Sequence, residues 1–250
     1  MAKFVLRGCR LFTGGADLTS RNSKLELSCE IEEKDVTAFN PDSDTEIWTE
    51  LIGGLASTKA TAEGQWEAGD SGKVDDVSWA DLGGLSAWTA TPGAATVGNL
   101  AWLLYAMRGS YELGGSVGDV APWKADASGT WPLVRGVILH PPGTARTATG
   151  DGTAVEHVAV PAGKNLYAAL HVLSVAGTAT PTITVAIESD IADDFTGDEV
   201  ERIEFAAATA AGGQILRVPG AIADTWYRAT WTVTGGSPSF LFVVSLGVGL

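Results

Sequence analysis

Polar and apolar residues alternate without a break from Lys24 to Glu32, and this period of two fits a β-strand and not a helix. Successive side chains of a strand point to opposite faces of the sheet. One face of this strand therefore carries the apolar residues Leu25, Leu27, Cys29 and Ile31, which we expect to face a core. The other face carries Lys24, Glu26, Ser28, Glu30 and Glu32, which we expect to face water or a charged cavity.

The rest of the chain also favours strands, separated by Gly, Pro, Asp and Asn residues. Residues 56–66 predict a second long strand, and residues 131–250 predict a series of shorter ones. Strands at such regular, short spacing are typical of a β-sandwich or a barrel. We therefore predict an all-β fold. A soft boundary near residue 130 divides it into a first β domain, residues 1–130, and a second β-sandwich-like region, residues 131–250.

One segment favours a helix. Apolar residues recur at helical spacing between an Asn that suits an N-cap and a Gly that suits a C′ position. We therefore predict one short helix over residues 99–108, packed on a sheet. The residues that carry this prediction are Asn99, Leu100, Leu103, Leu104, Met107 and Gly109.

The charge balance excludes several classes of partner. Lys and Arg number 16 against 30 Asp and Glu, which gives a formal net charge of −14. Binding in a DNA groove, or to an anionic membrane surface, needs clustered positive charge. No run reaches the ~20 apolar residues that span a bilayer, and the N-terminal apolar run is too short for a signal peptide. We expect no membrane anchor and synthesis in the cytoplasm.

The residues give no support for catalysis, a metal or a cofactor. The three histidines, His140, His157 and His171, lack metal-binding spacing, and no nucleophile or phosphate-binding motif is present. The acidic residues of 190–199 form either a solvated loop or a Ca²⁺ site, although the EF-hand pattern is absent. Cys9 and Cys29 are either two free thiols or a pair. We predict that the protein is not an enzyme.

A long connection over residues 37–55 contains a turn signal followed by apolar residues. It either folds back on its own core or binds a partner. The chain has nine Trp residues, a residue type that fills cores, anchors interfaces and stacks on sugars. We predict subunit contacts in and beside this connection, at Phe39, Trp48, Leu51 and Ile52.

An ordered series of short motifs runs through the first 70 residues. It resembles the N-terminal region of tail tube (major tail) proteins of long-tailed bacterial viruses. An acidic stretch over residues 40–50 replaces the shorter glycine-containing turn of that pattern. The motifs are Phe4–Leu6, Gly14–Thr19, Asn22, Leu25–Ile31, Asp35–Phe39, Gly53–Leu55, Ser57 and Ala62–Trp66.

The resemblance implies a structural virion protein of the tail, a tail-tube-like β domain and, with other tail proteins, hexameric rings stacked into a tube through which DNA passes. The acidic balance is compatible with this function, because an acidic wall repels phosphates. Glu26, Glu30 and Glu32 are candidates for the lumen surface, and the alternative is an ordinary solvated sheet face. Two other functions stay open: a carbohydrate-binding or adhesin-like virion module, and a β-sandwich glycosidase, for which no carboxylate pair stands out.

Overall fold

The computed structural model describes residues 8–37, 49–70 and 72–250, and these ranges are dominated by antiparallel strands that curl into a half-barrel. This confirms the all-β prediction. One α-helix, α1 (Val74–Ala80), lies in the described ranges, where no helix is long or apolar enough to cross a membrane. The strands in the same ranges are β1 (Arg10–Thr13), β2 (Ala16–Asp17), β3 (Asn22–Asp35), β4 (Leu51–Gln65), β5 (Leu85–Thr91), β6 (Leu100–Arg108), β7 (Glu112–Leu113), β8 (Pro122–Gly129), β9 (Val134–His140), β10 (Gly150–Asp151), β11 (Val155–Glu156), β12 (Asn165–Asp190), β13 (Val200–Glu204), β14 (Gly212–Pro219) and β15 (Trp226–Gly249).

The strands form one continuous sheet in the spatial order β13-β12-β15-β9-β6-β5-β1-β2. A branch leaves this path at β6, which also pairs with β8, and it continues through β4 to β3. The branch folds its apolar face over β1, β5 and β6. Small residues such as Ala60 and Ala62 of β4 pack there beside Trp88 and Leu104. This layering places β3 at the outer end of the branch.

The two longest strands, β12 and β15, pair from Asn165 opposite Gly249 to Asp190 opposite Trp226. Register shifts interrupt the ladder between Val172 and Thr182, and such irregularities bend a strand and increase its twist. β15 also pairs with β9, β10 and β11. The second part of the chain is therefore organised around β15.

Two large apolar clusters form the core, one on each side of residue 130. The buried members of one all follow residue 138 and include Tyr227, Trp231 and Phe242. Those of the other all precede residue 128. A smaller cluster, with Phe12 and Val243, combines the two parts, and β6 pairs with β9 across the predicted boundary. Two separate domains stay a prediction.

The prediction of a helix over residues 99–108 is wrong, because this segment forms the strand β6. The Asn99 amide donates to the Ala94 carbonyl oxygen, and the Gly109 N–H donates to Asp126 O, so neither residue caps a helix. β6 lies between β5 and β9, in contact with both neighbours. A strand inside a sheet is apolar at nearly every position, and a run of this kind contains helical spacing by coincidence.

Candidate functional site

The distal half of the β3–β4 hairpin extends beyond the body of the protein. We call it the arm, residues 28–35 and 51–57. All of these residues are exposed, since the pairing of β4 with β8 begins only at Lys59. Within the described ranges, the arm is therefore a two-stranded ribbon without a covering layer. Such a ribbon is marginally stable in water.

Four large apolar side chains of the arm are more than half exposed: Ile31 (62%), Leu51 (53%), Ile52 (55%) and Leu55 (82%). Two of them, Leu51 and Ile52, are among the predicted subunit contacts. The other two predicted contacts, Phe39 and Trp48, lie outside the described residues. A subunit contact here stays a prediction. Leu55 and Ile31, the most exposed of the four, did not stand out in the sequence as contact residues.

The apolar face of β3 is covered only in part by the protein itself. Leu25 and Leu27 are half-buried against the first core cluster, whereas Cys29 and Ile31 are exposed. The expectation that all four face the core is thus wrong for the last two. Within the part of the chain that the structure describes, the apolar layer beneath β3 ends before the arm, although the alternation of β3 continues into it.

The outer edge of β3 is a second open feature. Within the described ranges this strand of 14 residues pairs with β4 alone. Half of its backbone N–H and C=O groups therefore point away from the sheet. Such an edge is a template for another strand.

The solvent-facing side of β3, β4 and β8 carries charges of both signs. The register aligns Glu26 with Thr61 and Asp126 across the three strands. Among the described residues, we define this outer face by five carboxylates and three lysines. They are Glu26, Glu30, Glu63, Glu112 and Asp126 with Lys24, Lys59 and Lys124.

The lysines of the outer face pair with its carboxylates. Lys24 Nζ lies 3.0 Å from Glu26 Oε1, and Lys59 and Lys124 lie 3.6 and 3.4 Å from Asp126 oxygens. Burial alone raises the pKa of Asp126, but a Thr61 hydrogen bond and the two ammonium groups lower it overall. The hydrogen bond with Glu26 raises the pKa of Lys24. The outer face therefore carries a small excess of carboxylates, and its lysines form ion pairs with those carboxylates.

The structure places the three candidate lumen residues on exposed parts of β3. Glu26 and Glu30 belong to the outer face, and Glu30 and Glu32 lie on the arm, where Glu32 pairs with Lys34. Their role in a lumen stays a prediction. The alternation of β3 could not reveal the lysines of the outer face. Lys59 comes from β4 and Lys124 from β8, and only Lys24 belongs to β3 itself.

The three histidines are not arranged as general bases. His171 is fully buried, and its ring nitrogens lie 2.8 Å from Gly14 O and from Thr89 Oγ1. Burial lowers the pKa of His140 and of His171 to about 4, and it lowers the pKa of His157. In the described part of the chain, no three His, Cys, Asp or Glu side chains are grouped to hold a metal ion. Cys9 and Cys29 are free thiols.

Two aromatic side chains meet at one carboxylate of α1, and a third aromatic ring packs against one of them. Oδ1 of Asp75 accepts hydrogen bonds from Trp66 Nε1, at 2.8 Å, and from the Tyr111 hydroxyl. The Trp79 ring packs edge-on against Tyr111, with 5.5 Å between the centroids. We call these four residues the aromatic corner. Trp79 is 67% exposed.

The aromatic corner was missed at the level of sequence. Its one local signal is the spacing of Asp75 and Trp79, one helical turn apart, in a segment that was not assigned a helix. Trp66 directly follows β4 and Tyr111 lies in the connection after β6, so only the tertiary fold brings them together.

No protein-family model and no curated protein matches the chain. Among solved structures, it is similar to a chain from the virion of a native gene transfer agent particle. The TM-score is 0.37 and the identity 19%, over 47% of this chain and 86% of that one. A chain from the tail of an empty gene transfer agent particle, computed with C6 symmetry, gives the same TM-score and identity over 47% and 84%.

The SPP1 Dit protein, described as a paradigm of the hub adsorption apparatus in phages that infect Gram-positive bacteria, has a TM-score of 0.32. Its identity is 9%, over 97% of this chain and 99% of that one. The similar chains thus come from a virion, a tail and a phage adsorption hub.

Proposed function

We propose that this protein is a structural, non-enzymatic subunit of a phage tail, and that copies assemble through the arm into rings that stack into a tube. The observation that carries the proposal is the arm, whose large apolar side chains are exposed and have no layer of the described part of the chain over them. The location that follows is the virion tail, with synthesis in the host cytoplasm and contacts to other tail proteins.

The energetics favour a partner for the arm. Burying one Leu or Ile side chain contributes roughly 1.5–3 kcal/mol. The four arm residues that are more than half exposed, Ile31, Leu51, Ile52 and Leu55, can therefore supply several kcal/mol to an association. Leu51 and Ile52 are consecutive in β4 and point to opposite faces, so the arm offers apolar side chains on both of its faces.

The free edge of β3 gives the association a direction. In this proposal the edge of β3 pairs with a different edge of a second copy, so that the contact joins two unlike surfaces of the subunit. Contacts between unlike surfaces close into rings when the rotation between copies permits it. Six copies in each ring is the symmetry that the sequence resemblance implies, and it forms part of the proposal.

The outer face is the surface that we assign to the bore. Its carboxylates outnumber its lysines, and the lysines are paired with carboxylates on the same face. A wall of this composition offers few free cations to phosphates. Phosphate contacts with Lys and Arg dominate the affinity of proteins for DNA, so a duplex would slide past without being held.

Negative-stain electron microscopy and sedimentation over a range of protein concentrations test the proposal. We expect rings or short tubes from the wild type, and monomers from Leu55→Asp at every concentration. Ile191→Asp is the matched control, because Ile191 is 70% exposed and lies outside the arm. A wild-type protein that stays monomeric throughout, or a control that loses assembly equally, would contradict the proposal.

Carbohydrate binding is the second candidate, and one observation favours it. Trp79 is the only tryptophan among the described ones that is highly exposed, and an open aromatic ring is what a sugar stacks on. A glycan array on the wild type and on Trp79→Ala tests this candidate. Loss of signal in the variant supports it, and an array without signal removes it.

A further inference from the structure

The aromatic corner has the chemistry of a cation-binding surface. Oδ1 of Asp75 already accepts two hydrogen bonds, while Oδ2 accepts none from the described residues. The Trp79 ring stands one helical turn away and is held edge-on by Tyr111. An exposed aromatic face near a carboxylate attracts a cation both through the ring quadrupole and through the charge.

No cation of the described chain occupies the corner. The nearest lysine in sequence, Lys73, pairs with Glu67, with 2.9 Å between Nζ and Oε1. The arginines that stack on rings in the described ranges do so elsewhere, on Trp88, Trp131, Trp231 and Phe195. The surface is thus preorganised and unfilled, since Trp66 and Tyr111 fix the Asp75 carboxylate in place.

The exposure of the corner indicates a macromolecular ligand. Small-molecule sites enclose most of their ligand, whereas Trp79 is two-thirds exposed. An exposed Trp that is rigidly held is the kind of residue that anchors a protein interface. A partner protein supplies the missing walls and excludes water from the contact.

The charges around the corner decide which protein fits. Asp70, Asp76 and Glu112 lie nearby in sequence and fold, so the surroundings are negative. The arm of a second copy is a poor match. It carries Glu30, Glu32, Glu33 and Asp35, and its one described cation, Lys34, is paired with Glu32.

We propose that the aromatic corner docks an arginine or lysine side chain presented by a different protein with a basic surface. The cation lies against the Trp79 ring and faces Oδ2 of Asp75. This inference does not depend on self-assembly, because the corner lies outside the arm and outside the outer face.

Fluorine NMR of the full-length protein, labelled with 5-fluorotryptophan and kept below its assembly concentration, tests the proposal. Trp79→Phe assigns the Trp79 resonance. The probes are blocked Gly-Arg-Gly and Gly-Lys-Gly tripeptides, the citrulline counterpart of the first, tetramethylammonium chloride and glucose. We expect a saturable shift of the Trp79 resonance with the arginine and lysine peptides, and none with the neutral citrulline peptide.

Two variants distinguish a specific contact of the bound cation with Asp75 from attraction by the general negative charge of the surface. Asp75→Asn keeps the oxygen that accepts the Trp66 and Tyr111 hydrogen bonds and removes the charge, so we expect affinity to fall at least fivefold. Asp76→Asn removes the charge of a neighbouring carboxylate, whose Oδ2 accepts hydrogen bonds from the Gly69 and Asp70 N–H groups. There we expect less than a twofold change.

Four outcomes overturn the proposal. Equal shifts with the arginine and citrulline peptides would exclude recognition of charge, and equal losses in both Asp variants would exclude a specific contact. A response to glucose or to tetramethylammonium alone would assign the corner to a small ligand. A shift that grows with protein concentration alone, and that Lys34→Glu abolishes, would assign it to a second copy.

Discussion

The imidazole of His171, on β12, reaches across the protein to Gly14, whose carbonyl oxygen lies 2.8 Å from Nδ1. Nδ1 therefore donates, and Nε2 accepts from the Thr89 hydroxyl, which in turn lies 3.0 Å from Ser245 Oγ. This chain of hydrogen bonds joins the first part of the protein to the second. Burial favours the neutral form of the ring by lowering the pKa of His171 to about 4.

The first prediction is a loss of stability in acid. Folding lowers the pKa of His171 and of His140 from the ordinary 6.5 to about 4, because both rings are buried. Between these pH values the unfolded chain binds more protons, so stability falls as the pH drops through this window and is level above it. Each histidine contributes up to about 3 kcal/mol. Urea unfolding at pH 7.5, 6.5, 5.5 and 4.5 measures this.

His171→Phe is the variant for this test. It should lower stability at pH 7.5, because it leaves Gly14 O and Thr89 without their partner, and it should reduce the pH dependence. Wild-type stability that is level from pH 7.5 to 4.5 would contradict the assignment of neutral, buried rings.

The second prediction concerns Arg108, which is fully buried. Its Nη1 donates to Ser78 Oγ, but Nε and Nη2 make no hydrogen bond in the described structure. Arg108 Nη2 lies 3.9 Å from Asp81 Oδ2. Burial lowers the pKa of Arg108 to about 10. Replacing a poorly satisfied buried charge by an apolar residue of similar size is often neutral or stabilising.

Arg108→Met should therefore change the free energy of unfolding by less than about 1 kcal/mol, or raise it. Ser78→Ala is the comparison, because it removes the oxygen that accepts from both Arg108 and Trp123, and it should cost at least about 1 kcal/mol. Chemical denaturation of both variants gives the values. A loss above about 2 kcal/mol in Arg108→Met would show that its ion pair with Asp81 is strongly stabilising.

The third prediction concerns the contact between β9 and β15. A Cβ built on Gly136 would lie 1.8 Å from the backbone oxygen of Leu246, and a Cβ on Gly143 would meet nothing within 4 Å. Gly136→Ala should thus force the two strands apart and cost about 2 kcal/mol or more, whereas Gly143→Ala should be neutral. Thermal unfolding of the two variants compares them, and equal melting temperatures would contradict the close pairing.

The fourth prediction uses the two free thiols as reporters. Cys29 is exposed on the arm, whereas Cys9 is half-buried and burial raises the pKa of its thiol. The thiolate is the reactive form, so Cys29 should react with a maleimide at least tenfold faster than Cys9 in the monomer. Assembly through the arm should then slow Cys29 selectively. Mass spectrometry of labelled peptides measures both rates, and an unchanged Cys29 rate in assembled protein would place the arm outside the interface.

Period-two alternation predicted β3, and the sequence predicted β4 from residue 56 onward, but residues 51–55, expected in a connection, also belong to β4. The same reasoning failed at β6, where both faces are covered and the alternation disappears. Alternation also does not indicate what covers an apolar face. Leu27 and Ile31 occupy equivalent positions in the pattern, but in the described structure Leu27 packs on the core whereas Ile31 is exposed.

The aromatic corner lay beyond sequence reasoning for a different physical reason. Its hydrogen bonds join Trp66 and Tyr111 to Asp75 through tertiary structure, and no spacing along the chain encodes that meeting. The outer face has the same property, since Lys59 and Lys124 reach Asp126 only through strand register.

β15 follows all four of its partner strands, β9, β10, β11 and β12, in the order of synthesis. During synthesis these four strands leave the ribosome before β15, so they cannot pair with β15 until it has left the exit tunnel. Their apolar faces stay open during that interval, which is when β-rich chains aggregate or recruit chaperones. The yield of folded protein should therefore respond to translation speed through residues 150–226 more than to that of any earlier segment.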